Sequence, residues 1–88
     1  MKKSRQGAHP LKVSTNKYPS FSERLKVAML IREVSVEELA ASTYLTKSTI
    51  CGYRAGYRSP NLEILRLLSK TLNVSTDFLL GLKEDIYI

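Results

Sequence analysis

The stretch that decides the fold is Thr46–Pro60, TKSTICGYRAGYRSP. It carries Lys47, Arg54 and Arg58 and no Asp or Glu. Thr46 is suited to cap a helix, because its hydroxyl can accept from a free N–H of the first turn. Gly56 is suited to end one, because it enters the left-handed conformation without a Cβ penalty. A helix from about 47 to 55 is therefore predicted. Gly52 sits in its interior, where glycine costs roughly 1 kcal/mol relative to alanine. A short, basic helix of small side chains that keeps such a residue needs a reason beyond helix formation.

Outward from this segment the chain reads as further short capped helices. Ser20-x-x-Glu23 and Ser35-x-x-Glu38 are capping-box patterns. The first precedes apolar residues at Leu25, Ala28, Met29 and Leu30 and predicts a helix ending near Glu33. The second opens a helix that turns Val36, Leu39 and Ala40 inward. Downstream, Ser59-Pro60 reads as the opening of a fourth helix, since proline suits the first turn. Leu62, Leu65, Leu68 and Leu72 form its stripe, widened by Ile64 and Leu67. Ser75 caps a fifth, TDFLL, which Gly81 closes; the final Ile86-Tyr87-Ile88 has strand character. The expected fold is all-α: five short helices in a compact domain over 20–82, with a flexible basic tail over 1–19 and a short C-terminal tail over 83–88.

Charge is localised rather than spread. The chain has 88 residues and a formal net charge of +6. Lys2, Lys3, Arg5, Lys12 and Lys17 stand in the first nineteen residues with no acid, and the opening stretch holds its three cations, again with no acid. The remaining segments are slightly acidic. Localised positive charge of this kind is an electrostatic footprint for nucleic acid, weighed against a solvated face with a solubilising tail. One cysteine, Cys51, excludes an intrachain disulfide, and with one histidine, His9, it cannot close a zinc site. No metal or cofactor is expected. The MKKSR start lacks an apolar segment behind it, and VAMLI is too short to span a bilayer, so neither export nor a membrane partner is expected.

The second and third predicted helices, joined at Thr43-Tyr44-Leu45, form a helix-turn-helix. Here the sequence resembles the phage-repressor family of lambda repressor and Cro, also called Xre-type. The resemblance spans Phe21 to Gly81. It is carried by Leu39-Ala40, Leu45-Thr46, Ser48-Thr49-Ile50, the Gly56-x-x-x-Pro60 loop, Asn73-Val74-Ser75 and Asp77-x-Leu79-Leu80-Gly81. It implies a double-stranded DNA binder of phage, prophage or plasmid repressor type, working as a homodimer in the cytoplasm. It also implies roles for single residues. Leu25, Ala28, Leu39, Ala40, Leu45 and Ile50 hold the first three helices together. Lys47 and Ser48 meet base edges, and Thr46 and Thr49 meet phosphate or base. Cys51 and Gly52 lie on the groove-facing side one turn on, so the bare backbone of Gly52 approaches DNA closely. Tyr53, by its own spacing on the helix rather than by the resemblance, is read as core. Tyr57 and Arg58 reach phosphate from the loop, as would backbone N–H groups near the start of the fourth helix.

The sequence departs from the family in four places. Val36 stands where the family often has a glutamine that touches the DNA backbone. Glu33 replaces a glycine between the first two helices. Tyr44 replaces a glycine in the turn; either the turn differs or packing of the ring offsets a left-handed strain of roughly 1–2 kcal/mol. Met29 and Arg54 replace the family's Arg–Glu pair, so Met29 is expected in the core and Arg54 is expected to turn outward toward phosphate. Val27, Ile31 and Val34 add apolar surface to the first helix, for intramolecular cover or for a dimer. No paired acids, Ser/His/Asp set or glycine-rich phosphate loop is present, so an enzyme is not expected. The alternative reading is an antitoxin-like protein-interaction module, with a protein partner and secondary DNA binding. RNA binding is the weakest option.

Overall fold

The computed structural model describes residues 20–87. The basic tail over 1–19 and Ile88 lie outside them. Five helices follow in order: α1 Phe21–Arg32, α2 Val36–Thr43, α3 Lys47–Ala55, α4 Leu62–Leu72 and α5 Thr76–Leu80. No strand occurs among the described residues.

The caps explain why the helices lie where they do. Ser20, Thr46 and Ser75 accept from the backbone N–H three residues on, at 3.2, 3.1 and 3.2 Å. Ser35 and Glu38 close the full reciprocal box, with bonds of 3.1 and 2.8 Å. The start of α4 differs from expectation: Asn61 is its cap, accepting from Ile64 N–H at 2.9 Å. Pro60 therefore precedes the cap, because the Asn61 side chain satisfies an end that proline merely tolerates. Every helix ends in a left-handed residue: Glu33, Tyr44, Gly56, Asn73 and Gly81.

α1 packs against α3, α5 and α4, while α2 packs against α3 and α4. The core between them holds Leu25, Ala28, Leu39, Ile50, Tyr53, Leu65, Leu68, Leu72, Val74, Phe78, Leu79 and Ile86. Tyr53 meets Phe21 edge-on, with ring centroids 6.4 Å apart. Met29 is buried as expected, and Val27, Ile31 and Val34 pack partly buried against the core. Three leucines expected to face inward do not: Leu30, Leu62 and Leu67 are exposed. Leu62 is the first residue of α4, one turn ahead of the buried stripe, where the helix has not yet reached the core.

Two arginines hold the helices in register. Arg24 is fully buried in α1. Its Nη1 donates to the carbonyls of Phe78 and Lys83 at 2.8 and 3.1 Å, and its guanidinium lies 4.8 Å from the Phe78 ring centroid. Burial pushes its pKa below the ordinary arginine value, and the Glu84 carboxylate partly offsets this. Arg32 donates from Nε and Nη2 to the carbonyls of Leu72 and Asn73 at 3.1 and 2.8 Å. It thus places a cation on the negative end of α4. The C-terminal segment docks without forming a strand: Ser75 N–H donates to the Ile86 carbonyl at 2.8 Å, and Ile86 fills the core.

Candidate nucleic-acid interface

The interface is built from the helix-turn-helix. α2 ends at Thr43, whose hydroxyl donates back to the Leu39 carbonyl at 2.7 Å. Tyr44 then turns the chain at φ 60° and ψ 27°, and Leu45 tucks partly into the core. The family turn is thus present with a tyrosine in it. Its ring is 95% exposed, so packing does not offset the strain.

α3 has a buried side and an open side. Ile50 and Tyr53 are buried; Lys47, Ser48, Cys51 and Ala55 are exposed and share one face. Lys47 and Ser48 occupy the first turn. Lys47 Nζ stands 3.7 Å from Oε2 of Glu37 on α2, with both side chains more than half exposed. Such a pair contributes roughly 0–1 kcal/mol and yields readily to a better acceptor. Thr46 and Thr49 spend their hydroxyls on the cap, being 2.9 Å apart from each other.

Gly52 is not the bare surface expected of it. It is buried, and a Cβ built on it would lie 2.6 Å from Cδ and 2.9 Å from Cγ of Arg58. The Arg58 side chain fills the space that the missing methyl leaves. The same glycine's carbonyl accepts from the N–H groups of Gly56, Tyr57 and Arg58, at 3.0, 3.2 and 3.3 Å. Arg58 and Tyr57 are themselves exposed.

Arg54 also departs from expectation. It is half-buried rather than turned outward, and its Nε is enclosed without a hydrogen-bond partner. The side chain lies in a shallow groove with Lys26, Met29, Leu30 and Val34. Loss of the family's glutamate from α3 and arginine from α1 leaves apolar Met29 beside it, and the arginine stem covers that surface. At the start of α4, Glu63 puts a carboxylate in the first turn, which opposes phosphate there. Sequence reasoning missed the placement of Glu37 beside Lys47 and the passage of Arg58 over Gly52. Neither contact leaves a local sequence signal, although the interior glycine marked the second.

Residues 25–79 match the HTH_3 family, described as Helix-turn-helix. The chain belongs to this helix-turn-helix family. It is similar to two regulators of Bacillus subtilis (strain 168). One is the uncharacterized HTH-type transcriptional regulator YobD, 32% identical over 65 residues that cover 74% of this chain and 58% of the relative. The other is the HTH-type transcriptional regulator ImmR, 35% identical over 65 residues that cover 74% of this chain and 51% of the relative. The chain thus spans a little over half the length of these regulators. Among solved structures it resembles the restriction-modification controller protein C.AhdI from Aeromonas hydrophila, with a TM-score of 0.63 and 27% identity. That match covers 67% of this chain and 89% of the controller. No helix among the described residues is long and apolar enough to cross a membrane.

Proposed function

We propose that this member of the helix-turn-helix family is a sequence-specific, double-stranded DNA-binding transcriptional regulator. Its type is that of a phage, prophage or plasmid repressor acting in the cytoplasm, with no catalytic activity. The observation that carries the reading is the exposed, acid-free face of α3, capped at Thr46 and set at the surface by the turn at Tyr44. Lys47 and Ser48 stand at its leading end, where a recognition helix meets base edges in the major groove. Arg54 and Arg58 flank it, and the exposed Tyr57 extends it into the loop. Cys51 is a small groove-facing residue, and of the paired Thr46 and Thr49 hydroxyls one O–H is left to donate to phosphate. The same expectation of regulation follows from the names of the relatives.

The operator is read by a homodimer in this proposal, since one short helix covers too few bases for useful affinity. Leu80 and Leu82, exposed at and after the end of α5, supply apolar surface for such a pairing.

The test is selection from a random duplex library at near-physiological salt, with the Lys47→Ala protein in parallel. An inverted repeat with half-sites about 10 bp apart is expected, and Lys47→Ala is expected to lose it. Salt-sensitive binding with no enriched sequence would sink the proposal.

One observation favours a second reading. The groove of Met29, Leu30 and Val34, rimmed by Lys26, Arg54, Glu33 and Glu38, offers apolar surface with charges of both signs that DNA does not need. An antitoxin-like module would use such a surface for a protein partner. Aggregation of the lone chain, relieved by a co-expressed partner, would favour this reading; a soluble homodimer that selects DNA would exclude it.

A further inference from the structure

The geometry points to Arg58 as a base-reading residue of the α3 surface, with Gly52 as the residue that positions it; the inference rests on the DNA-binding reading above. A loop arginine of this kind is ordinarily assigned to phosphate. Three observations move it to the bases.

First, Gly52 lies on the edge of the open face, not beneath it. At about 100° per residue, it stands roughly 40° around α3 from Ser48 and one turn after it. The Arg58 stem crosses α3 at that edge. Its Nε is 3.2 Å from the place a Gly52 Cβ would take. The guanidinium therefore begins at the edge of the exposed face, beside Gly52, rather than out in the loop.

Second, the arginine is held at both ends of its stem. Its backbone N–H donates to the Gly52 carbonyl at 3.3 Å, and its Cγ and Cδ rest on the Gly52 backbone. An arginine head is a rigid planar fork; a stem already laid down leaves little freedom to lose on binding. A phosphate contact needs no such constraint, since a flexible cation finds phosphate oxygens over a wide area. Two parallel donors directed at O6 and N7 of one guanine do need it.

Third, the helix gives up stability to allow the crossing. Glycine in the interior of α3 costs roughly 1 kcal/mol relative to alanine, and any Cβ there would strike the arginine. Arg58 also lines a shallow pocket with Ser20, Phe21, Ser22, Gly56 and Ser59, none of which is a carboxylate.

The experiment compares the full chain with Arg58→Lys, Arg58→Ala, Gly52→Ala and the double variant Gly52→Ala/Arg58→Ala. For each, base preference at every position of the selected site and the salt dependence of affinity are measured. The wild type is expected to prefer guanine at one position per half-site by roughly 10- to 100-fold. Arg58→Lys keeps the charge, so the salt slope should hold while that one preference collapses. Gly52→Ala should lose the same preference at the same position while helicity and urea midpoint hold or rise. In the double variant, Gly52→Ala should add nothing to the loss already caused by Arg58→Ala. If Arg58→Ala instead weakens all sequences alike and lowers the slope by about 1, with the preference profile unchanged, Arg58 is a phosphate contact and the inference is overturned. If Arg58→Lys matters but Gly52→Ala does not, Gly52 does not position it. A wild type that selects no sequence fails the DNA-binding proposal itself.

Discussion

Three non-glycine residues, Glu33, Tyr44 and Asn73, take up left-handed backbone at helix ends. Asparagine does so at little cost, since its short polar side chain tolerates that region. Tyr44 has no such excuse. Its ring is almost wholly exposed and returns no burial for the strain. Tyr44→Gly is therefore expected to raise stability by about 1 kcal/mol, the relief of strain outweighing the added freedom of the unfolded chain. Tyr44→Ala keeps the Cβ and should give no gain. Urea midpoints of the two variants check this, and equal midpoints would show that the turn is unstrained. At Lys47 the nearby Glu37 carboxylate is a weak, exposed partner. Glu37→Gln is expected to cost under about 1 kcal/mol of stability. It should raise non-specific DNA affinity, because it removes a negative charge from the face that meets phosphate.

At the scale of the element, helix starts and stops are local chemistry, and this is why they were legible in the sequence. Ser20, Ser35, Thr46 and Ser75 announce caps by residue type and spacing, and Gly56 and Gly81 announce ends. α4 was misjudged at its start because two local signals, Pro60 and Asn61, compete within two residues, and side-chain acceptance at Asn61 prevails. What was not legible depends on contacts between elements. Nothing near Arg24 says that its guanidinium will serve carbonyls more than fifty residues away. Nothing near Arg58 says that its stem will lie on Gly52, although an interior glycine signals that something must. Of the site, Lys47, Ser48 and Cys51 fell on the exposed face as read, whereas Gly52 and Arg54 did not. The caps themselves can be tested. Arg32→Ala removes two charge-assisted bonds from the end of α4, one of them half-buried, and should cost about 1–2 kcal/mol. Arg32→Lys should recover part of it, because a point charge still meets the dipole but cannot fork to both carbonyls. A thermal or urea midpoint unchanged in Arg32→Ala would mean that the carbonyls of Leu72 and Asn73 are served equally well by water.

At the scale of the molecule, the open face of α3 depends on a small core, and that core is closed by the last residues described. Domains of this size hold only a few kcal/mol in reserve. Ile86 is fully buried beside Phe78 and Val74 in that core, its carbonyl takes the Ser75 N–H, and Arg24 ties the same end through Lys83. Residues 83–87 therefore pack as part of the domain rather than trailing from it. Removing 83–88 and finding loss of self-association would not identify a dimer interface, because the same deletion opens the core. Ile86→Ala separates the two effects. It should cost about 2–5 kcal/mol by lost burial and the cavity left behind, enough to leave much of the chain unfolded at ambient temperature. Tyr87→Ala, at a residue 39% exposed, should cost far less and leave the fold in place. If Tyr87→Ala keeps the urea midpoint but weakens self-association, the C-terminal surface takes part in pairing. If Ile86→Ala leaves the midpoint unchanged, the segment is not a closing element of the core, and removing 83–88 becomes a fair test of the dimer.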